Sequence, residues 1–212
     1  MCAGRCEPAN KFFSKIAKHY ARRFRRSGLG KEQRLLLEGI RRDSVQGKRV
    51  LDIGCGVGAL HLSLLKEGAA HATGVDAAEG MVKKAQLLSE EFGVAEKTNY
   101  INGDFVEYAE QLHDAEITML DKVVCCYEDV ETLVKKSTEK TAAVYALTHP
   151  KESLFVKTLF KSHIALAALF RWKFHPFWHD WQKMREMIVG EGFTCVYDNS
   201  TMSWRVLVYK RV

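Results

Sequence analysis

The chain has 212 residues, a formal net charge of +6, 47% hydrophobic residues and 27% charged ones. That length and balance predict one globular domain over residues 1–212, with a sizeable core and no low-complexity linker. There is no run of about 18 uncharged apolar residues to span a membrane, and Met1 to Asn10 holds no apolar secretory core. The six cysteines lack framework-like spacing, which predicts reduced thiols and a cytoplasmic setting. The charge is unevenly placed. Lys11 to Arg42 carries eleven Lys/Arg against Glu32 and Glu38, a local +9 that leaves −3 for the remainder.

Lys11 to Arg26 reads as a helix with Phe12, Ile16, Tyr20 and Phe24 near one face and basic residues elsewhere. Gly28 and Gly30 break it, and Lys31 to Arg42 forms a second helix around Leu35, Leu36 and Ile40. Two roles are open for this basic stretch, residues 1–45. It is a solvated face on helices beside a sheet, or a lid with Tyr20 reaching inward and Arg22, Arg23, Arg25 or Arg26 steering an anionic acceptor.

Val50 to Leu60, Val-Leu-Asp-Ile-Gly-Cys-Gly-Val-Gly-Ala-Leu, is the stretch around which the chain is organised. An apolar run, Arg49 to Gly54, ends in glycines at alternate positions, and a helical pattern begins at Gly58. Gly54, Gly56 and Gly58 let the backbone approach a ligand without a Cβ in the way, with Cys55 between them. The helix N-terminus beyond offers unpaired N–H groups. Gly54-x-Gly56-x-x-Ala59 also satisfies the loose dinucleotide fingerprint. Asp52 opposes a pyrophosphate there but suits a cationic ligand. His71 to Asp76 is a second strand; Asp76 at its carboxyl end is placed to accept both ribose hydroxyls or to cap the helix Ala78 to Phe92. Thr98 to Gly103 is a third strand, and Asp104-Phe105 opens the next helix.

At Asp52-x-Gly54-x-Gly56-x-Gly58, Asp76 and Gly103-Asp104, the chain resembles the class I S-adenosylmethionine-dependent methyltransferases. The resemblance implies an α/β, Rossmann-like sheet of seven strands in the order 3-2-1-4-5-7-6, with N-terminal helices and an inserted helix acting as a lid. It implies S-adenosyl-L-methionine as cofactor and S-adenosyl-L-homocysteine as product. It assigns Asp76 and Ala77 to the ribose side, Met81 to an apolar face against adenine, the Asp104 carboxylate to the adenine amino group and the Phe105 backbone N–H to the ring. Asp52 and Asp121 are assigned to the methionine end, and Tyr20 to a closing N-terminal helix.

Ile117 to Val124 is an apolar strand interrupted by Asp121 and Lys122, followed by Cys125-Cys126-Tyr127. Ligands in open α/β sheets sit beyond the strands' carboxyl ends, so Asp121 and Tyr127 are candidates beside the methyl donor. The Asn/Asp-Pro-Pro-aromatic tetrapeptide of amino-base methyltransferases is missing, which counts against a DNA adenine or cytosine-N4 substrate. Ala142 to Leu147 is the fifth strand, and His149, just beyond it, is a candidate general base. An additional helix follows from Lys151 to Phe174 (insertion 151–176). Phe155, Leu159, Leu166, Leu169 and Phe170 share one face, expected to pack on the sheet, with a cap over a flat acceptor or a membrane surface as the functional alternatives. His175 and His179 are spaced like a metal pair, but Pro176 keeps them off one regular helical turn, so no metal is predicted. Trp178 to Val189 is the last helix, and Phe193 to Tyr197 with Trp204 to Tyr209 forms an antiparallel pair.

The function expected is methyl transfer to a small molecule, at a carboxylate or hydroxyl of a large apolar compound. The Asp121–Tyr127 stretch and the inserted helix are loosely similar to magnesium-protoporphyrin O-methyltransferases and their bacterial relatives, which makes a tetrapyrrole one option. Three alternatives remain. The basic arm admits an RNA methyltransferase. Cys2, Cys6, Cys125 and Cys126 admit transfer to a thiol or metalloid. A catalytically silent cofactor-binding interaction module is the third.

Overall fold

The computed structural model describes residues 7–169 and 176–212. Among these residues, eight α-helices and seven strands alternate: α1 Glu7–Ser27, α2 Lys31–Ile40, β1 Arg49–Ile53, α3 Ala59–Lys66, β2 His71–Asp76, α4 Glu79–Glu91, β3 Thr98–Asn102 and α5 Phe105–Tyr108. Then come β4 Ala115–Leu120, α6 Val130–Glu139, β5 Thr141–Pro150, α7 Leu154–Leu169, α8 Trp181–Gly190, β6 Phe193–Ser200 and β7 Trp204–Arg211. The strands form one sheet in the order β3-β2-β1-β4-β5-β7-β6, as the resemblance implies. The first five strands run parallel, and β7 runs antiparallel to both β5 and β6.

Strand side chains alternate between the two faces of the sheet, and the core divides accordingly. Val50 of β1 joins the layer built by α1, α2, α3 and α4. Leu51 and Ile53 join the layer built by α5, α6 and α8. Asp52 shares the parity of Val50, so its carboxylate points to the α3 side at the strand's end. α2 lies close on the β6–β7 hairpin. A Cβ at Gly39 would stand 2.6 Å from Val208 Cγ2 and 2.8 Å from Tyr197 Cδ1. Gly39→Ala is expected to lower unfolding stability by about 1–3 kcal/mol through overpacking. Chemical denaturation tests this, and an unchanged midpoint would contradict so close a seat.

Several boundaries differ from expectation, each for a local reason. β4 stops at Leu120, because Lys122 adopts φ 62 and turns the chain out of the sheet. β5 runs through Thr148-His149-Pro150, because β7 pairs with it to the end, His149 opposite Arg205 and Pro150 opposite Trp204. α6 is an addition to the expected elements. Its signal is local: Asp129 caps it by accepting from the Thr132 N–H, and Val130, Leu133 and Val134 are buried at helical spacing. α8 begins at Trp181, three residues late, where Asp180 caps it by accepting from the Gln182 and Lys183 N–H groups.

The inserted helix corrects another expectation. Phe155, Leu159 and Leu166 are 67%, 56% and 47% exposed rather than packed on the sheet. Val156 is buried instead, and Phe160 meets the Trp178 ring edge-on at 5.6 Å between centroids. The helix is apolar over so much of its circumference that the sequence does not single out the covered line. Phe170, Phe174, His175, Cys2 and Cys6 lie outside the described residues. Among the described residues, no helix is long and apolar enough to cross a membrane.

Candidate active site

β1 delivers Asp52 and the glycine bend to the carboxyl edge of the sheet, where a cavity of about 530 Å³ opens. That size suits a small-molecule site. The bend requires glycine for two separate reasons. Gly54 has φ 66, and a Cβ there would lie 2.3 Å from Val123 Cγ2. Gly58 has φ 83 and precedes α3, where a Cβ would lie 2.8 Å from the His61 ring. A left-handed backbone with no free volume beside it excludes a side chain.

Of the residues expected at the cofactor, Asp52, Gly54, Cys55, Gly56, Asp76, Ala77, Met81, Gly103, Asp104, Phe105, Asp121 and Tyr20 all line this one cavity. Gly58 lies one layer behind it. Asp76 does more than end β2. Its Oδ2 accepts from the Gly56 N–H at 2.8 Å, and its Oδ1 accepts from the Ala78 N–H at 2.7 Å. One carboxylate thus ties the glycine bend to the start of α4, while Ala78 itself occupies the cap position. Burial pushes the Asp76 carboxyl up to about 6, against the pull of these two N–H donors. Asp104 accepts from the Val106 N–H at 3.0 Å and so caps α5.

Asp121 sits beyond β4, where Thr148 gives it a hydroxyl hydrogen bond at 2.8 Å. The same Thr148 oxygen accepts the Lys122 N–H at 2.7 Å, so the strained turn and the carboxylate are fixed together. Burial pushes the Asp121 carboxyl up, opposed by Lys122, Thr148 and a hydrogen bond from Gln33 of α2. Lys122 reaches Glu32 of the same helix at 3.2 Å and stands over the Trp204 ring at 5.1 Å. The first turn of α2 is thereby joined to the end of the cavity nearest β4.

Two catalytic expectations are corrected. His149 is fully buried and does not line the cavity. Its Nδ1 pairs with the Pro150 carbonyl oxygen at 2.8 Å, its ring stacks on Trp181, and burial depresses its pKa to about 4. The β5–β7 pairing carries it under α8, outside the cavity lining. His149→Phe should therefore leave turnover within about two-fold, and a steady-state assay showing loss greater than that at equal folded fraction would contradict this placement. Tyr127 lines the cavity, but its hydroxyl donates to both Asp104 oxygens, at 3.0 and 2.9 Å, rather than lying with Asp121.

The steering expectation also narrows. Of the four arginines proposed, Arg23 lines the cavity, whereas Arg22, Arg25 and Arg26 line a separate groove with Lys18 and Lys84. Arg25 pairs there with Glu91 at 2.6 Å. Position along α1 explains the split, since Arg23 shares the helical face of Phe12, Ile16 and Tyr20 while the others project elsewhere. The sequence reading missed His61, Lys122, Gln33 and Trp204 at or behind the site. Lys122 and Trp204 could have been suspected from their places at strand ends; Gln33 and His61 depend on packing between elements.

Comparison with known proteins agrees with this geometry. The methyltransferase domain family matches residues 50–151. The chain is 35% identical over 149 residues to the ubiquinone biosynthesis O-methyltransferase of Neisseria meningitidis serogroup C, covering 66% of this chain and 58% of that protein. It is 36% identical over 134 residues to that of Aromatoleum aromaticum, covering 61% of this chain and 53% of the relative. The chain thus spans little more than half the length of these relatives. In fold it is similar to the magnesium protoporphyrin IX methyltransferase of Synechocystis PCC 6803, solved with bound S-adenosylhomocysteine, at TM-score 0.73 and 20% identity over 96% of this chain and 98% of that one. The same protein with bound S-adenosylmethionine aligns at TM-score 0.72 and 17% identity, over 100% and 99%. Residues 50–151 thus match the methyltransferase domain family, and the glycine bend and sheet order are those of the class I S-adenosylmethionine-dependent methyltransferase fold.

Proposed function

We propose that this protein transfers the methyl group of S-adenosylmethionine to an oxygen of a flat, apolar small molecule bearing an acidic group. The observation that carries the proposal is the cavity wall beyond the glycine bend. Phe12, Phe13, Tyr20, Phe24, Phe160 and Trp204 supply rings, and Arg23 and Lys122 supply cations. Aromatic walls suit a flat acceptor, and the two cations suit a carboxylate or phenolate. A carboxylate is already ionised at neutral pH and needs no base, whereas a phenol must give up its proton to solvent or to a cavity carboxylate as the methyl arrives; the described residues lining the cavity include no histidine. The donor sulfonium is already activated, so the protein's task is to align donor and nucleophile.

In this reading Asp76 holds the ribose, Asp104 with Tyr127 borders the adenine, and Asp52 with Asp121 faces the methionine end. α1, α2 and α7 form the lid over the acceptor. The relatives named as O-methyltransferases support oxygen as the target, and a tetrapyrrole is one member of the acceptor class. A metalloid acceptor at Cys125 and Cys126 is disfavoured. The Cys125 thiol is pushed up by its hydrogen bond to Cys126 and by burial, and both thiols point to the Lys122 carbonyl oxygen.

The test is a radiolabelled-donor assay against aromatic and tetrapyrrole carboxylates, phenols and bulk RNA. Label in an alkali-labile ester or an aryl ether supports the proposal; label in RNA alone overturns it. Within that assay, Arg23→Gln should raise the acceptor KM most at low salt, because screening weakens steering. Arg26→Gln, in the separate groove, should not. Equal effects of the two would contradict the division between cavity and groove.

A further inference from the structure

Asp52 does not stand alone behind the glycine bend. Its Oδ2 lies 2.8 Å from Nδ1 of His61, whose Nε2 lies 2.9 Å from the Tyr100 hydroxyl. That hydroxyl also reaches the Ala85 carbonyl oxygen at 3.3 Å. Strand β1, helices α3 and α4 and strand β3 therefore meet through one polar chain, in a layer where Asp52 is 2% and His61 0% exposed. The His61 ring also fills the space that a Gly58 Cβ would need.

A carboxylate this buried is costly unless its oxygens are satisfied. An imidazole N–H on Oδ2 satisfies one and stops the carboxylate from rotating, as a charge-assisted bond does. Asp52 lines the cavity, and the structure gives its second oxygen no protein partner among the described residues. The ring is held in turn, since an imidazole that gives its Nδ1 proton to Asp52 presents Nε2 to Tyr100.

We propose that His61 is a positioning residue for the donor's amino-acid end. Acting through Asp52, it fixes the carboxylate oxygen that receives the methionine ammonium, and Tyr100 fixes the ring. The proposal rests on the reading that the cavity holds S-adenosylmethionine with Asp52 at its methionine end.

The test compares two ligands by equilibrium binding. S-adenosylmethionine carries the ammonium, whereas 5′-methylthioadenosine keeps the adenosine and lacks the amino-acid portion. His61→Leu should weaken S-adenosylmethionine binding about ten-fold or more, the scale of a charge-assisted hydrogen bond, and leave 5′-methylthioadenosine within about two-fold. His61→Asn, whose amide N–H can stand near the Nδ1 position, should recover most of the loss. Tyr100→Phe should show a smaller loss with the same selectivity.

Equal loss of both ligands in His61→Asn and Tyr100→Phe would assign the chain a purely structural role and overturn the proposal, as would wild-type binding in folded His61→Leu. If His61→Leu does not fold, the other two variants decide. Asp52→Asn separates the two layers of the claim. If it fails to distinguish the ligands, the reading of the methionine end is wrong. If it distinguishes them and the His61 and Tyr100 variants do not, only the positioning role falls.

Discussion

Replacing Asp76 with alanine should weaken S-adenosylmethionine binding about 10- to 150-fold, the range expected from charge-assisted hydrogen bonds of about 1.5–3 kcal/mol. Two losses combine. The ribose loses its acceptor, and the Gly56 and Ala78 N–H groups lose theirs, so the bend that receives the ligand also loosens. Asp76→Asn keeps one of the two acceptor oxygens without the charge, at the cost of an NH2 facing the other backbone N–H, and should fall between alanine and wild type. Calorimetry gives the comparison, and unchanged affinity in Asp76→Ala would reject the ribose assignment.

The same residue sets a pH dependence. Its carboxyl stands at about 6 in the free protein, above the ordinary 3.8, because burial disfavours the charge. The unfolded chain binds fewer protons between those values, so ligand-free stability falls as pH rises from 3.8 to about 6. Ligand binding has the opposite sign. Two ribose hydroxyls donating to the carboxylate favour the ionised form and lower its pKa in the complex. Affinity should therefore be full above about pH 6 and weaken as pH falls through it. Asp76→Asn should remove that slope, and a slope that persists would assign it to another group.

Gly54→Ala should be the most damaging single-methyl change at the site. The left-handed φ of 66 costs a non-glycine residue about 1–2 kcal/mol. The new methyl would also overlap Val123 Cγ2 at 2.3 Å, an overpacking term of about 1–3 kcal/mol. The expected sum is a stability loss of about 2–5 kcal/mol together with loss of measurable donor binding. The double variant Gly54→Ala, Val123→Ala relieves the overlap but not the φ strain, so it should recover part of the stability. Full recovery, or none, would show that only one of the two causes operates. Denaturant titration of the two variants, of Val123→Ala alone and of the wild-type protein decides.

Much of the fold was legible because its signals are local. The apolar run ending in Gly54, Gly56 and Gly58 marked the first strand and the bend, and strand–helix alternation with the resemblance gave the sheet order. What escaped depends on how elements meet. His149 reads as a strand-end histidine beside the cofactor, yet pairing of β5 with β7 through Pro150 buries it against Trp181. His61 reads as one polar position in the apolar stretch Ala-Leu-His-Leu-Ser-Leu-Leu. Only the packing of α3 on β1 and β3 brings it to Asp52 and Tyr100. Tyr127 follows β4 closely enough to suggest the methyl end, but the turn at Lys122 swings it to Asp104. α7 is too evenly apolar for its sequence to choose which line of side chains is covered.

Two pairs in the cavity lining are tied together, Tyr127 by hydrogen bonds to Asp104 and Gln33 by one to Asp121. Gln33 and Glu32 belong to α2, so the N-terminal helices are coupled directly to the turn after β4 through Asp121 and Lys122. A donor seated there would be in contact with the segment proposed to close over the acceptor.

A crystal structure of this protein with S-adenosylhomocysteine tests the central claim most directly. The ribose should lie on Asp76, the adenine between Met81 and the Asp104–Phe105 turn, and the amino-acid tail on Asp52. A ligand lodged elsewhere, or one running in the reverse direction with its tail at Asp104, would contradict it.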